Sequence, residues 1–215
     1  MNSLSYIVQK YDLDISQNSP VEIPDIGRNN LPELFVELGF ETGVEIGVQQ
    51  GLYTEVLCKS GLKIFAVDPW ETYKNYRTYV AQIRLDRYYN EAKIRLEKYD
   101  CDIIKNFSMV ALEGFEDESL DFVYIDGNHD FQNVTNDIHE WGKKIKNGGI
   151  ISGDDYVNRR QPTRTHVISV LHGYTKSYRI HPWFILGTKE QIPGIIRDKI
   201  RSWMWVKDES LFNTA

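Results

Sequence analysis

The chain has 215 residues, 41% hydrophobic and 26% charged. That composition excludes wholesale disorder, and the length supports a core without disulfide staples. A net charge of −6 argues against a dedicated nucleic-acid binder, which carries a positive footprint.

No apolar run approaches the roughly 18 residues that mark a membrane span. The N-terminus lacks a basic segment followed by an apolar one, so no secretory signal is expected. Cys58 and Cys101 form neither a CxxC pair nor a disulfide framework. These features predict a cytoplasmic protein of one domain over residues 1–215.

Residues 1–30 are the least regular stretch, interrupted by Pro20, Pro24 and Gly27, and a short helix is predicted over 31–38 with Pro32 in its first turn. Residues 43–47 (GVEIG) read as a buried strand, and 51–60 as a helix stopped by Gly61. The next strand, 63–67 (KIFAV), ends at Asp68-Pro69. Residues 71–99 are polar and tyrosine-rich, with Leu85, Tyr88, Ala92, Leu96 and Tyr99 at helical spacing. They predict a helical insertion. It either packs and is solvated or acts as a lid, turning Tyr73, Tyr76, Arg77 and Tyr79 toward a substrate.

Strands are predicted at 101–106 and 121–125 (DFVYI), then a helix from Phe131 with Val134, Ile138, Trp141 and Ile145 on one face. Gly148-Gly149 stops it, and a strand follows at 150–153. A helix at 165–174 and closing strands at 178–180 and 184–188 complete the core. The tail from Ile195 is predicted as a surface helix with a frayed end. Its Trp203 and Trp205 cover either core or a second subunit, which leaves a homo-oligomer open. This alternation predicts an α/β doubly wound, mostly parallel seven-stranded sheet covered on both faces. Ligands then bind beyond the carboxyl ends of the strands.

Four loops lie at that end. In the first, 45–51 (EIGVQQG), Gly47 permits a tight turn, and the following helix offers free N–H groups to an anion. Gln49 stands where a dinucleotide fingerprint has its middle glycine, so the loop suits a carboxylate better than a pyrophosphate. Glu45 adds a carboxylate for an ammonium group. In the second loop, Asp68 follows the glycine loop by about 20 residues, the interval at which an acid commonly binds ribose hydroxyls.

The third loop, 126–130 (DGNHD), and the fourth, 153–156 (GDDY), would bring Asp126, Asp154 and Asp155 together. Three uncompensated carboxylates repel one another, and a hard divalent cation would relieve that. The alternative is that they cap turns and helices. His129 has the ordinary pKa of a general base. Arg159, Arg160 and Arg164 either receive an anionic substrate or are solvated.

The glycine loop, Asp68, the IDGNHD loop and the GGIISGDDY stretch together resemble class I S-adenosylmethionine-dependent methyltransferases, specifically the small-molecule branch called methyltransferase family 24. The similarity spans roughly residues 40–190 and extends distantly to catechol and macrocin O-methyltransferases. It implies that Glu45, Gly47 and Gly51 hold the methionine part of S-adenosylmethionine, Asp68 the ribose, and Ser108 the adenine, with Asp126 beside the cofactor. By position, Asp126, Asp154 and Asp155 match the magnesium ligands of metal-dependent members. His129 stands where the catechol-type enzymes carry a lysine, and Asn128 where the macrocin type has an aspartate.

The function so implied is O-methylation of a small hydroxylated molecule, assisted by magnesium, with His129 as base. A metal-independent N- or O-methyltransferase, or a cofactor-binding module that transfers nothing, are the alternatives.

Overall fold

Short β-branched runs become strands here because each can bury both faces, and the longer runs with helical spacing cover them. In the computed structural model, which describes residues 2–73, 80–157 and 165–209, the chain begins with α1 (Ser3–Lys10) and β1 (Val21–Ile23). A single 3-10 turn at Arg28–Asn30 leads into α2 (Leu31–Glu37), β2 (Thr42–Ile46), α3 (Leu52–Lys59) and β3 (Lys63–Asp68). Next come α4 (Gln82–Leu96), β4 (Cys101–Lys105), α5 (Ser108–Ala111) and β5 (Leu120–Ile125). Asp130 caps α6 (Phe131–Asn136) by accepting from the Asn133 amide. That helix runs through a π-helical turn at Asp137–Trp141 into α7 (Gly142–Lys144). The chain continues with β6 (Ile145–Tyr156), α8 (Val167–Ser177), β7 (Phe184–Leu186) and β8 (Arg201–Val206).

The strands form one sheet in the order β1-β7-β8-β6-β5-β2-β3-β4. Only β8 runs antiparallel to its neighbours, β6 and β7. Alternation along β5 divides the core: Val123 and Ile125 face Val134, Ile138 and Trp141, while Phe122 and Tyr124 face Phe35, Tyr53 and Leu57. Phe122 stacks on Phe35 at 4.2 Å. The α/β doubly wound, mostly parallel architecture is therefore the one predicted, with eight strands rather than seven.

Beyond two short helices that were not expected, α1 and α5, four elements differ from expectation. Strand β1 is three residues between two prolines, too short to show a period. The expected strand at 178–180 is instead the turn that ends α8, with the Tyr178 amide donating to the Tyr174 carbonyl. The helix from Phe131 stops at Lys144, and β6 already begins at Ile145. The largest correction is the tail. Residues 201–206 are no surface helix but a sheet strand whose Trp203, Met204 and Trp205 are fully buried. Trp203 and Trp205 point to the α8 side and Met204 to the α2 side. Among the described residues, no helix is long and apolar enough to cross a membrane.

After β2 the chain steps outward through β3 to β4, then returns to place β5 on the other side of β2. The switch point therefore lies between the carboxyl ends of β2 and β5, where open α/β sheets bind ligands.

Candidate active site

At that switch point two loops touch through their backbones. The Asp126 amide donates to the Ile46 carbonyl at 2.7 Å, and the Gly47 amide to the Val67 carbonyl at 2.9 Å. Gly47 adopts a φ of +94°, and a Cβ there would lie 2.2 Å from the Asp126 carbonyl oxygen. Glycine is thus required for the approach of two protein loops, whatever else it admits.

Beside this junction is a cavity of about 380 Å³, within the usual range for small-molecule sites. Of the residues singled out in the sequence, Gly47, Asp68, Ser108 and Asp126 line it, as does Tyr73 from the segment after β3. Tyr76, Arg77, Tyr79, Arg159, Arg160 and Arg164 lie outside the described residues.

Asp68 ends β3 with its carboxylate turned back on the chain. One oxygen accepts from the Gln49 amide at 3.0 Å and the other from the Trp70 amide at 2.8 Å. Burial pushes its pKa up, and these backbone bonds oppose that shift. The Val48 amide bears on the same carboxylate, whose remaining acceptor capacity is what it can offer a ligand hydroxyl. Trp70, fully buried, fixes the loop by donating from Nε1 to the Gln49 carbonyl at 2.7 Å.

Ser108 opens α5, but its hydroxyl is committed. Oγ donates to Asp137 Oδ1 at 2.5 Å and accepts from Trp141 Nε1 at 2.8 Å. What Ser108 leaves for a ligand is its backbone N–H in the first turn of the helix. Asp137 also lines the cavity, from the π-helical turn, and burial pushes its pKa up to about 7. Sequence reading missed it because it is the one acid on a helix face whose other inward positions, Val134, Ile138 and Trp141, are apolar. Asn128 Nδ2 is buried without a hydrogen-bond partner, and Asn128 also lines the cavity.

Other expected members stand elsewhere. Glu45 is buried on the α3 side of the sheet, where it accepts a 2.5 Å hydrogen bond from Thr54. Burial raises its pKa well above the carboxylate range. It is not among the residues lining the cavity, so it does not face a ligand there. Gly51, with φ +71°, caps α3 against Leu96 and also lies off the cavity.

The acids after β5 and in β6 do converge, though not as a metal site. They alternate with two cations of the chain. Arg28 Nη1 lies 3.0 Å from Asp154 Oδ2 and 3.7 Å from Asp126 Oδ2. His129 Nε2 lies 3.2 Å from Asp126 Oδ1, and its Nδ1 2.8 Å from Asp155 Oδ2. The carboxylates are thus partly compensated, which weakens the repulsion that predicted a divalent ion. Among the described residues no group of three or more His, Cys, Asp or Glu is arranged to hold a metal. These residues therefore do not fit the expected magnesium.

The same geometry changes His129. An imidazole with a carboxylate at each nitrogen donates from both, which only the protonated ring does. Burial works against that charge, but the hydrogen bonds to Asp126 and Asp155 outweigh it and push the pKa up to about 10. Asp154, whose Oδ1 also accepts from Ser202 at 3.2 Å, is pushed up to about 7, by burial first and Asp126 second, with Arg28 opposing.

Comparison with known proteins identifies the class. The family model described as a methyltransferase domain matches residues 44–156, which hold every loop of the cavity wall named above. The chain belongs to that family and is an S-adenosylmethionine-dependent methyltransferase. No curated protein sequence matches it.

Among solved structures, the chain is similar to the O-methyltransferase from Bacillus cereus in complex with SAH, with TM-score 0.57, 17% identity, and coverage of 95% of this chain and 90% of that one. It is similar also to the N-methyltransferase NodS from Bradyrhizobium japonicum, with TM-score 0.56, 14% identity, and coverage of 85% and 95%. A third similar structure is an rRNA methylase from Streptococcus thermophilus, with TM-score 0.54, 14% identity, and coverage of 79% and 88%. At these identities the likeness is one of fold, and the three acceptor classes differ.

Proposed function

We propose that the enzyme transfers the methyl group of S-adenosylmethionine to a hydroxyl of a small molecule that enters the cavity beside Asp126. The observation that carries this reading is the cavity wall itself, where Asp68 and Asp126 stand at the ends of β3 and β5 with Gly47 between them. Asp68 would take the ribose hydroxyls, its two oxygens already held by backbone amides. The Ser108 backbone N–H would meet the adenine, and the buried Asn128 amide would gain the acceptor it lacks. The SAH complex of the Bacillus cereus enzyme supports the cofactor assignment.

In the reaction an acceptor oxygen attacks the methyl carbon, the sulfur–carbon bond breaks to leave S-adenosylhomocysteine, and the hydroxyl proton would pass to the Asp126 carboxylate and on to solvent. Holding donor and acceptor in line supplies much of the acceleration. Asp126 is the carboxylate at the cavity edge and would accept the acceptor's hydrogen bond. His129 keeps Asp126 in place as a cation and is not the base. No step needs a magnesium ion. The net charge of −6 favours a small acceptor over RNA, whose phosphates a negative surface repels.

Calorimetric titration tests the cofactor. S-adenosylmethionine and S-adenosylhomocysteine should bind, and NAD should not bind comparably. Asp68→Ala should weaken S-adenosylhomocysteine at least roughly tenfold, since hydrogen bonds to a charged group are each worth about 1.5–3 kcal/mol. Unchanged affinity would place the ribose elsewhere. A panel of hydroxylated small molecules, amines and ribosomal RNA, read by release of S-adenosylhomocysteine, tests the acceptor, and turnover on RNA alone would sink the small-molecule reading.

A further inference from the structure

The row of charges beside the cavity begins with a residue outside the matched methyltransferase segment. Arg28 lies in the 3-10 turn before α2, and its backbone is clamped from two directions. Its amide donates to Asp198 Oδ2 at 2.7 Å, and its carbonyl accepts from the Tyr53 hydroxyl at 2.9 Å. Its guanidinium lies over the Tyr53 ring at 5.2 Å. Gly27 before it leaves no room for a side chain, since a Cβ there would sit 2.5 Å from Asp198 Oδ2. So held, the guanidinium reaches Asp154 and Asp126 at 3.0 and 3.7 Å.

We infer that Arg28 is a built-in substitute for a divalent cation, a positioning residue that holds the Asp126 carboxylate at the cavity edge and takes the place a metal ion would occupy. The inference rests on the methyltransferase reading for the meaning of Asp126, but not for the placement of the charges. Arg28 bears on Asp126 Oδ2 while His129 holds Oδ1, so both oxygens face a fixed cation. A metal ion would have to displace Arg28 from Asp154, and an arginine cannot shed its charge to make way. Two fixed cations among three acids leave at most one negative charge, and less where Asp154 is protonated, a weak pull on a hydrated cation that gives up its water reluctantly.

Manganese alone is the probe, counted by the electron paramagnetic resonance of the free ion, on the full chain. The wild type should bind none in this site, and its affinity for S-adenosylhomocysteine should be the same in EDTA as in excess magnesium. Arg28→Met removes the charge at similar length. It should bind one manganese per chain at least about tenfold more tightly than the wild type, because a unit positive charge about 3–4 Å from the ligand oxygens is gone. Adding Asp154→Asn to that variant should abolish the gain. Arg28→Lys restores a cation and should stay metal-free, which separates the charge from mere packing.

Manganese bound by the wild type and lost in Asp154→Asn would overturn the inference. So would an Arg28→Met protein that is folded and still binds none. If Arg28→Met does not fold, the wild-type titration and Arg28→Lys still decide, since metal bound at this site by either refutes it. Failure of the wild type to bind S-adenosylhomocysteine would refute the proposed function and leave the manganese result standing.

Discussion

Gly47→Ala is expected to cost the protein its cofactor and much of its stability. The added methyl would sit 2.2 Å from the Asp126 carbonyl oxygen and 2.7 Å from the Gly127 nitrogen. Both are backbone atoms, which cannot swing aside as a side chain would. Relief requires β2 and the loop after β5 to part, and the 2.7 Å bond between the Asp126 amide and the Ile46 carbonyl would go with them. The φ of +94° adds strain of its own. Together these exceed about 3 kcal/mol. Gly39→Ala is the control: its φ is +76° but nothing lies within 4 Å of the added carbon, so only the conformational strain remains. Urea unfolding of both variants, with S-adenosylhomocysteine titration of any folded Gly47→Ala, checks this. Equal midpoints would mean the loops are not pressed together.

That glycine shows what the sequence could and could not tell. Its position at a strand end was legible, and so was Asp68, because a short β-branched run followed by a turn marks the carboxyl end of a parallel strand. Its reason was not legible, since contact with Asp126 exists only once β5 has inserted beside β2. Glu45 fails for a related cause. It adjoins the glycine loop in sequence, but strand alternation sends it to the face under α3 while Ile46 turns to the cavity side. Position along a strand predicts which end a residue is near, whereas the face depends on what each side of the sheet carries.

Strand β8 was hidden by its own burial. Strands that lose both faces to the core show no polar alternation, and Trp-Met-Trp in a tail reads equally as surface cover. The acids were placed correctly by the rule that strand-end loops converge. Their chemistry was not, because the compensating Arg28 comes from the irregular opening segment and meets Asp154 across 126 positions of chain. No local pattern announces such a pair.

His129 carries the other large effect, a stability that fades as the pH rises. An unfolded histidine titrates at about 6.5, and in the folded chain the hydrogen bonds to Asp126 and Asp155 push His129 up to about 10. Its folded pKa is the higher one, so the stabilisation is fully present below about pH 6.5 and is lost as the pH climbs through about 10. The imidazolium is less than a third exposed, which spares it much of the screening that weakens surface pairs. The gap corresponds to a few kcal/mol near neutrality.

His129→Gln keeps a polar side chain and removes the charge, so it isolates the effect. Unfolding free energies of both proteins should differ most at pH 6, less at pH 8, and little above about pH 10. Taking the difference cancels the lysines that titrate in both. Once an acceptor is known, the same protonation predicts that turnover has no limb near about pH 6–7 belonging to His129, because a ring that already holds both protons has none to gain. A stability difference that stays constant with pH would return His129 to the neutral form. A His129-dependent limb at that pH would restore it as the base.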